Sequence, residues 1–313
     1  MESLPVGRED VERAAGVIAG RLHRTPTLSC RTLGPHVFLK AELLQRTGSF
    51  KPRGVLTKLA SLTAEEKARG VIAASAGNHA AALAFGAALE GIDALVVMYQ
   101  GASEVKLRAA EGYGATIDLE ATGPGDVFER LDALQKETGR VLVHPFDDPL
   151  VIAGQGTVGL EILEDVRDVE RIIVPCGGGG LFSGIAAAAE GAEVEVVPVE
   201  PENSRALHAA VEAGETKRVE ARSIADGLNA PFAGELALSS ALALDAEPVL
   251  VTEDELAEGF RFLYQRAKLA CEPAGAAAVA ALLAGKIKPD HTVCVVSGGN
   301  VAAHTAAGIL ASP

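Results

Sequence analysis

The sequence predicts an α/β protein whose parallel sheets are divided between two lobes. Short apolar strands alternate with helical segments along most of the 313 residues, which is the pattern of parallel α/β proteins. Several strands are followed at once by glycine, serine or asparagine. Open α/β sheets bind ligands beyond the carboxyl ends of their strands, so these segments are the first candidates for a functional site.

The elements follow in a regular order. We expect a helix at residues 7–20 and a short strand at Val37–Lys40, followed by a first group of strands at Val71–Ala74, 94–98, 116–119 and 141–144. A second group is expected at residues 172–175, 194–199 and 293–297. The first group predicts a small inserted domain at residues 68–148. The large domain then consists of residues 1–67 plus 149–313, with the site in the cleft between the two.

Composition excludes several classes of partner. The net charge is −14, which argues against nucleic acid or an anionic membrane surface as a partner. The first residues, Met1 to Pro5, show no secretion signal, and no apolar run approaches the length of a membrane span. The four cysteines, Cys30, Cys176, Cys271 and Cys294, form no Cys-x-x-Cys pair. We therefore expect a cytoplasmic protein with reduced cysteines.

The first candidate motif surrounds one lysine. It reads Ser49-Phe50-Lys51-Pro52-Arg53-Gly54. A lysine amine becomes a useful nucleophile when it is partly desolvated or joined to a carbonyl cofactor as a Schiff base. Phe50 could lie against a flat heterocycle. An isolated motif of this kind is usually a surface turn, so its interpretation depends on three further segments.

Two of these segments join a strand to a helix. Ser75-Ala76-Gly77-Asn78-His79 follows an apolar strand and precedes an alanine-rich helix, where backbone N–H groups suit a carboxylate. A simple helix cap is the alternative. Gly177-Gly178-Gly179-Gly180-Leu181 suits an anion in the same way. No Gly-Lys-Ser/Thr follows it, which disfavours a nucleoside-triphosphate loop, whereas a Rossmann dinucleotide site stays a minor alternative.

The third segment is Ser297-Gly298-Gly299-Asn300, at the end of a buried strand. No His/Cys or His/Asp spacing suggests zinc, and we predict no metal ligand. His79 and His144 are expected to act as caps or loop contacts.

Together these motifs resemble the fold-type II pyridoxal-phosphate enzymes, in the branch that contains threonine/serine dehydratases and serine racemases, and most closely the short threonine dehydratases. The resemblance extends from Thr25 to Asn300 and includes the segment Cys271-Glu272-Pro273-Ala274-Gly275. It implies the two-lobed fold of the tryptophan synthase β-subunit kind, pyridoxal 5'-phosphate as cofactor, an amino acid as small-molecule substrate, and a homodimer or homotetramer.

The resemblance also implies a role for each motif residue. It assigns Lys51 to the Schiff base, Phe50 to the ring face, Asn78 to the cofactor's 3-hydroxyl group and Ser297 to its pyridine nitrogen. The residues that it assigns to binding the cofactor phosphate are Gly177, Gly178, Gly179, Gly180 and Leu181. The residues that it assigns to binding the substrate carboxylate are Ser75, Ala76, Gly77, Asn78 and His79.

The chain departs from the racemases of this family at two places. The racemases resemble one another in carrying a serine where this chain has Ala76, and a methyl group cannot move a proton. Their cation site corresponds to Glu200, Ser204 and Ala206, so the aspartate of that site is missing here. Both departures favour elimination over racemisation.

The expected function is therefore that of an L-threonine/L-serine ammonia-lyase, which yields a 2-keto acid and ammonia. The runner-up is a dehydratase of another β-hydroxy amino acid, such as 3-hydroxyaspartate or phenylserine, and serine racemase is third. A β-replacement synthase is less favoured, because those enzymes tend to have an acidic residue where this chain has Pro52. A non-enzymatic amino-acid sensor on the same fold is the alternative from another class.

Overall fold

A computed structural model describes residues 4–101, 104–123 and 126–311 of the chain, and within these ranges the strands form two sheets. The strands are β1 (Thr27–Ser29), β2 (Val37–Lys40), β3 (Val71–Ala74), β4 (Ala94–Tyr99), β5 (Thr116–Ala121), β6 (Val141–Leu142), β7 (Arg171–Pro175), β8 (Glu195–Pro201), β9 (Val249–Val251) and β10 (Thr292–Val295). The helices are α1 (Arg8–Ile18), α2 (Pro52–Ala60), α3 (Ala64–Arg69), α4 (Asn78–Glu90), α5 (Glu104–Gly112), α6 (Val127–Thr138), α7 (Pro149–Asp165), α8 (Gly180–Ala188), α9 (Ala206–Ala213), α10 (Glu235–Leu244), α11 (Glu253–Phe262), α12 (Pro273–Leu283) and α13 (Ala303–Ala311).

The larger sheet has six strands in the order β1-β2-β10-β7-β8-β9. Its strands pair in parallel, except that β1 runs antiparallel to β2 at the edge. The smaller sheet has four parallel strands in the order β5-β4-β3-β6. Strand β3 of the smaller sheet and strands β7 and β10 of the larger one lead at their carboxyl ends into the three predicted strand-end motifs.

Both faces of each sheet are covered, and the side chains of the central strands alternate between the two cores. In β10, Val293 and Val295 belong to one apolar cluster, whereas Cys294 belongs to another. In β3, Val71 and Ile72 divide in the same way. Such double burial explains why these strands read as continuous apolar runs rather than as alternating ones.

Two helices of the larger sheet, α7 and α8, pack together at backbone contact. A Cβ atom added to Gly156 would lie 2.5 Å from the Gly184 carbonyl oxygen, and one added to Gly184 would lie 2.5 Å from the Gly156 nitrogen. The start of α7 is fixed by Asp148, whose carboxylate accepts from the N–H groups of Leu150 and Val151. This close packing places the amino end of α8 beside the cleft.

The predicted fold class, a parallel α/β protein with two sheets, is confirmed. Some predicted ends are wrong: β10 stops at Val295 rather than 297, and β5 continues to Ala121. All four strands of the smaller sheet lie inside residues 68–148, although that domain boundary itself stays a prediction. The four cysteines are buried and unpaired. Within the described part of the chain, no helix combines the length and the apolar character needed to cross a bilayer.

Candidate active site

The predicted lysine loop is joined to the turn that follows β10. Ser49 and Gly298 form an isolated antiparallel bridge, and the Phe50 N–H donates to the Ser297 carbonyl oxygen at 3.2 Å. Lys51 directly precedes α2, whose first residue is proline. Proline fits there because the N–H groups of a first helical turn have no intrahelical acceptor. The loop therefore brings Lys51 beside the end of the central strand.

The amine of Lys51 has an unusual environment for a lysine. Its Nζ donates to the Pro145 carbonyl oxygen at 2.8 Å and lies 5.0 Å from the centroid of the Phe50 ring. Burial lowers the pKa of Lys51 from 10.5 to about 8, while the charge of Glu272 acts in the opposite direction. Removing an ammonium from water disfavours its charged form. An unprotonated amine is therefore accessible close to neutral pH.

The segment after β3 forms the amino end of α4. The Gly77 N–H donates to Ser75 Oγ at 3.2 Å, and a Cβ atom on Gly77 would meet no atom within 4 Å, so this residue faces open space. The helix begins at Asn78. The unpaired N–H groups of a helix's first turn, together with the helix dipole, attract anions. This end of α4 can hold a carboxylate.

Asn78 and His79 play different parts in this segment. The Asn78 amide donates from Nδ2 to Glu272 Oε1 at 2.6 Å and accepts at Oδ1 from Asn300 at 2.8 Å. The imidazole of His79 is buried, with Nε2 2.8 Å from the Val143 carbonyl oxygen. Burial, followed by the charge of Lys51, lowers the pKa of His79 to about 3. His79 is therefore neutral, and it can offer an anion its backbone N–H but no charge.

The four glycines after β7 form a loop that has no room for side chains of its own. A Cβ atom on Gly178 would lie 2.3 Å from Cγ of the Phe146 ring, and one on Gly180 would lie 2.8 Å from the Phe146 carbonyl oxygen. Gly179, at φ +90°, is the residue before α8. The backbone of the loop therefore packs directly on its neighbours. Without side chains to cover them, the N–H groups of the loop and the amino end of α8 can bind an anion.

One cavity of about 610 Å³ receives every predicted site residue. These are Phe50, Lys51, Ser75, Ala76, Gly77, Asn78, His79, Gly177, Gly178, Gly179, Gly180, Leu181 and Ser297. Its volume is that of a small-molecule site, which spans roughly 300–1,000 Å³. Two helix amino ends and one lysine with a lowered pKa therefore meet in a single space. That set fits a phosphorylated carbonyl cofactor together with a substrate that carries a carboxylate.

A buried carboxylate in this cavity was not predicted as a site residue. Glu272 is 2 % exposed. It accepts the Asn78 amide, and its charge acts on Lys51. It lies just before α12, within a segment that carries the family resemblance but has no role assigned from the sequence. The contact joins residues that are 194 positions apart, so no local spacing could have indicated it.

A second unpredicted part of the wall comes from the chain between α9 and α10. Residues Arg218, Val219, Glu220, Ala221 and Arg222 line the cavity. The smaller sheet adds Tyr99 and α6 adds Phe128 to the lining of the cavity. Residues 218–222 belong to no motif, because this irregular segment has neither periodicity nor special turn residues. Tyr99 and Phe128 lie in a regular strand and a regular helix, whose patterns do not indicate that they line a site.

The residues at the racemase cation position are used differently here. The carboxylate of Glu200 accepts from the backbone N–H groups of Leu207 and His208, each at 2.8 Å. The Ser204 hydroxyl donates to the Leu228 carbonyl oxygen at 2.9 Å. Burial raises the pKa of Glu200 to about 8, against these hydrogen bonds. Glu200 thus satisfies the amino end of α9.

A buried network of ion pairs anchors the first turn of α2, the helix that follows Lys51. The guanidinium of Arg53 donates twice to Glu42, at 2.8 Å each, and twice to Glu161, at 2.7 and 2.9 Å. Arg53 and Glu42 are both fully buried. Because Arg53 is two residues from Lys51, this bidentate pairing fixes the first turn of α2 to α7 and to the segment that follows β2.

Comparison with known proteins agrees with this geometry. The family model for pyridoxal-phosphate dependent enzymes matches residues 18–298. The L-threonine dehydratase catabolic TdcB of Escherichia coli K12 is 42% identical over 310 residues, which cover 95% of this chain and 94% of that protein. Two solved structures are similar in fold. Maize serine racemase has a TM-score of 0.90 and 33% identity over 96% of this chain and 95% of that one. Threonine deaminase from T.th. has a TM-score of 0.87 and 39% identity over 95% of this chain and 99% of that one. The chain therefore belongs to the family of pyridoxal-phosphate dependent enzymes.

Proposed function

We propose that this enzyme is an L-threonine ammonia-lyase that also accepts L-serine and releases a 2-keto acid and ammonia. The observation that carries the proposal is the meeting of Lys51 with the amino ends of α4 and α8 in one cavity. The identity of 42% to a threonine dehydratase over nearly the full length of both chains supports the choice of substrate.

The proposal gives each motif a part in holding the cofactor. Pyridoxal phosphate, when bound, supplies a ring that accepts the electron pair left when a proton leaves Cα. The loop at residues 177–181 holds its phosphate at the amino end of α8. Phe50 would lie against its ring, Asn78 would contact its 3-hydroxyl group and Ser297 would contact its pyridine nitrogen. Lys51 is the lysine that bonds to it.

Lys51 also serves as the base in this proposal. Once the amino group of the substrate has taken its place on the cofactor, the freed amine of Lys51 would remove the Cα proton of the substrate, which requires the unprotonated form. A pKa of about 8 leaves a useful fraction of that form near neutral pH, whereas an ordinary lysine at 10.5 would have almost none. The carbonyl oxygen of Pro145, at 2.8 Å, holds the amine in place within the cavity.

The substrate carboxylate is bound at the amino end of α4. Ser75 supplies a hydroxyl group, and the segment through His79 supplies backbone N–H groups. Because His79 is neutral, the anion is held by hydrogen bonds and the helix dipole rather than by a positive side chain. This fixes the Cα–H bond relative to Lys51, the orientation that general base catalysis requires.

Ser297 favours elimination over other reactions of the same cofactor. Ser297 is 4 % exposed and lies two residues after the end of β10. A neutral hydroxyl group at the pyridine nitrogen does not keep that nitrogen protonated, in contrast to a carboxylate. The ring then withdraws electrons less strongly, which suits loss of a β-hydroxyl group better than transamination.

We further propose that residues 68–148 form an inserted small domain, with residues 1–67 plus 149–313 as the large domain. A cytoplasmic homodimer or homotetramer completes the proposal. The four buried, unpaired cysteines are consistent with a reducing compartment.

One observation favours a second candidate, a dehydratase of 3-hydroxyaspartate. The guanidinium-bearing residues Arg218 and Arg222 belong to the segment that lines the cavity. Arginine is the side chain that pairs best with a carboxylate, and 3-hydroxyaspartate carries a second one. Arg222 forms an ion pair with Glu220 at 2.5 Å. Arg218 is therefore the better candidate to pair with a second carboxylate of the substrate.

Steady-state rates with four substrates test the proposal. L-threonine, L-serine, 3-hydroxyaspartate and phenylserine are compared by release of keto acid and ammonia. We expect kcat/KM to be highest for L-threonine, followed by L-serine. A higher kcat/KM for 3-hydroxyaspartate that falls on Arg218→Gln would establish the second candidate instead. Formation of D-serine without keto acid would identify a racemase.

A further inference from the structure

Three side chains that commonly bind metals converge at the amino ends of neighbouring strands of the larger sheet. The active site lies at the carboxyl ends of the strands. His36 directly precedes β2, His291 directly precedes β10, and Asp168 lies three residues before β7. Since β10 pairs in parallel with both β2 and β7, with Thr292 opposite Val37 and Arg171, the amino ends of the three strands meet. Within residues 4–101, 104–123 and 126–311, this is the group of three His, Cys, Asp or Glu residues whose ligand atoms come close enough to share an ion.

The contacts within this group are short but are not those of ordinary hydrogen bonds. Nδ1 of His291 lies 2.9 Å from Oδ2 of Asp168, yet this nitrogen is buried without an aligned hydrogen-bond partner. The rings of His36 and His291 stack with their centroids 4.3 Å apart and their planes at 7°. One ligand atom from each residue lies within 4.8 Å of the others. An ion shared by the two side chains would account for this close approach without hydrogen-bond alignment.

The backbone holds the three residues in place. The Thr292 N–H donates to the His36 carbonyl oxygen at 3.0 Å, and the N–H groups of Glu170 and Arg171 donate to the His291 carbonyl oxygen at 2.9 and 3.2 Å. Val169, next to Asp168, is buried. His291 itself has φ +41°, a conformation that is uncommon for residues other than glycine. The ligands therefore project from a fixed frame.

We propose that His36, Asp168 and His291 form a binding site for a divalent transition metal of the zinc class, with water as the fourth ligand. Two imidazoles and one carboxylate are a ligand set that Zn²⁺ accepts, whereas Mg²⁺ prefers oxygen ligands alone. This site is independent of the proposed ammonia-lyase activity. It joins three adjacent strands, so its role is to stabilise the larger sheet.

Binding requires a modest movement of the side chains. Neighbouring ligand atoms around a tetrahedral Zn²⁺ lie about 3.3 Å apart. The most distant pair here, at up to 4.8 Å, would close by about 1.5 Å. Because the lone pair of an imidazole lies in its ring plane, the stacked rings must also turn. His36 and Asp168 are exposed, whereas His291 is half-buried, so His36 and Asp168 would make most of the movement.

No sequence pattern indicates this site. Its ligands come from residues 36, 168 and 291, which lack the short spacing of zinc motifs. Only the pairing of β2, β7 and β10 brings them together. The competing interpretation is a surface His–Asp ion pair with a stacked second ring and no affinity for metals.

The experiment is a calorimetric titration of the chelator-treated holoenzyme with ZnCl₂, repeated with Ni²⁺, Co²⁺ and Mg²⁺. Three variants each remove one ligand: His36→Gln, Asp168→Asn and His291→Asn. Asparagine is chosen at residue 291 because it tolerates a positive φ. His304→Gln, on α13, is the matched control, since it removes an exposed histidine elsewhere. Thermal unfolding is measured with and without Zn²⁺.

We expect one Zn²⁺ per chain with micromolar affinity, no response to Mg²⁺, and a rise in Tm on adding Zn²⁺. Each ligand variant should weaken binding at least about tenfold, because loss even of outer-shell partners costs about 10–100-fold, and the control should bind like the parent. Zinc bound at the active site or at Glu200 would persist in all three variants. No binding, binding that survives these substitutions, or an equal loss in His304→Gln would each overturn the proposal.

Discussion

The side-chain amide of Asn78 donates a hydrogen bond of 2.6 Å to Glu272, a buried carboxylate whose charge also acts on Lys51. Asn300 holds the other end of the same amide at 2.8 Å. Glu272 therefore joins the residue proposed to contact the cofactor's 3-hydroxyl group to the lysine proposed to bond to it. It is a positioning residue, and its effects should be visible in the titration of Lys51.

Glu272→Gln should lower the pKa of Lys51 below about 8. The carboxylate favours the ammonium form, so its removal leaves burial unopposed. Only the free amine attacks the cofactor aldehyde, and the free amine predominates above the pKa. The rate at which apoenzyme takes up pyridoxal phosphate should rise with pH around a midpoint near 8 in the parent, and around a lower midpoint in the variant. Stopped-flow absorbance measures both profiles.

The matched control for this experiment is Glu247→Gln, which changes an exposed carboxylate outside the cavity. Its profile should coincide with that of the parent. The amide that replaces the Glu272 carboxylate keeps an oxygen that can accept from Asn78, so a change of geometry alone should not move the midpoint. An unchanged or higher midpoint in Glu272→Gln would show that Glu272 does not act on Lys51 in the proposed way.

Gly178→Ala should weaken cofactor binding. The added methyl would lie 2.3 Å from the Phe146 ring, so either the ring or the loop must move. Overpacking of this kind costs about 1–3 kcal/mol, which corresponds to about 5- to 150-fold in affinity if the loop is displaced. Gly16→Ala is the control, because a Cβ atom there meets nothing within 4 Å. Equilibrium dialysis against pyridoxal phosphate gives both Kd values, and equal values would exclude this loop as the phosphate site.

Ala76 should make the enzyme a poor racemase. Inversion at Cα needs a second acid or base on the face opposite to Lys51, and the Ala76 methyl in the cavity wall offers no proton. Loss of such a group costs about two to four orders of magnitude. From L-serine we expect pyruvate to exceed D-serine by at least roughly 100-fold.

The variant Ala76→Ser should raise the share of D-serine without producing a full racemase. Chiral chromatography, with deuterium uptake at Cα, measures both enzymes. Comparable rates of D-serine and pyruvate formation in the parent would mean that another group or an ordered water protonates the far face.

Arg53→Met should strongly destabilise the protein. It leaves the fully buried Glu42 carboxylate without its cation, and removal of one partner from a buried ion pair costs about 3–5 kcal/mol. Arg13→Met, which removes an exposed arginine from α1, should change the free energy of unfolding by about 1 kcal/mol at most. Urea unfolding compares them, and equal stabilities would contradict the structural role of Arg53.

Much of the fold could be predicted because its central strands are continuous apolar runs. Strand β3 has the ends that its sequence predicts, whereas β9 has no prediction, since three residues at the edge of a sheet make too short a pattern. The predicted end of β10 is wrong because Val296 stays buried after the ladder with β7 ends. The chain is still buried at Val296, but it no longer forms the regular strand pairing with β7.

The site divides in the same way between local and distant signals. Lys51 and the glycine loop belong to contiguous motifs, so their sequence neighbours identify them. Glu272 depends on a contact across 194 residues, and the wall around Arg218 depends on where an irregular segment lies. Neither is encoded in spacing, and both require the assembled sheets.

The most direct test of the central claim is to identify the lysine that bonds to the cofactor. The holoenzyme is reduced with borohydride, which converts the labile bond to a stable secondary amine, then digested and examined by mass spectrometry. We expect the pyridoxyl group on the peptide that contains Lys51 and on no other. An adduct on another lysine, such as Lys58 or Lys40, or no adduct at all, would contradict the proposed site.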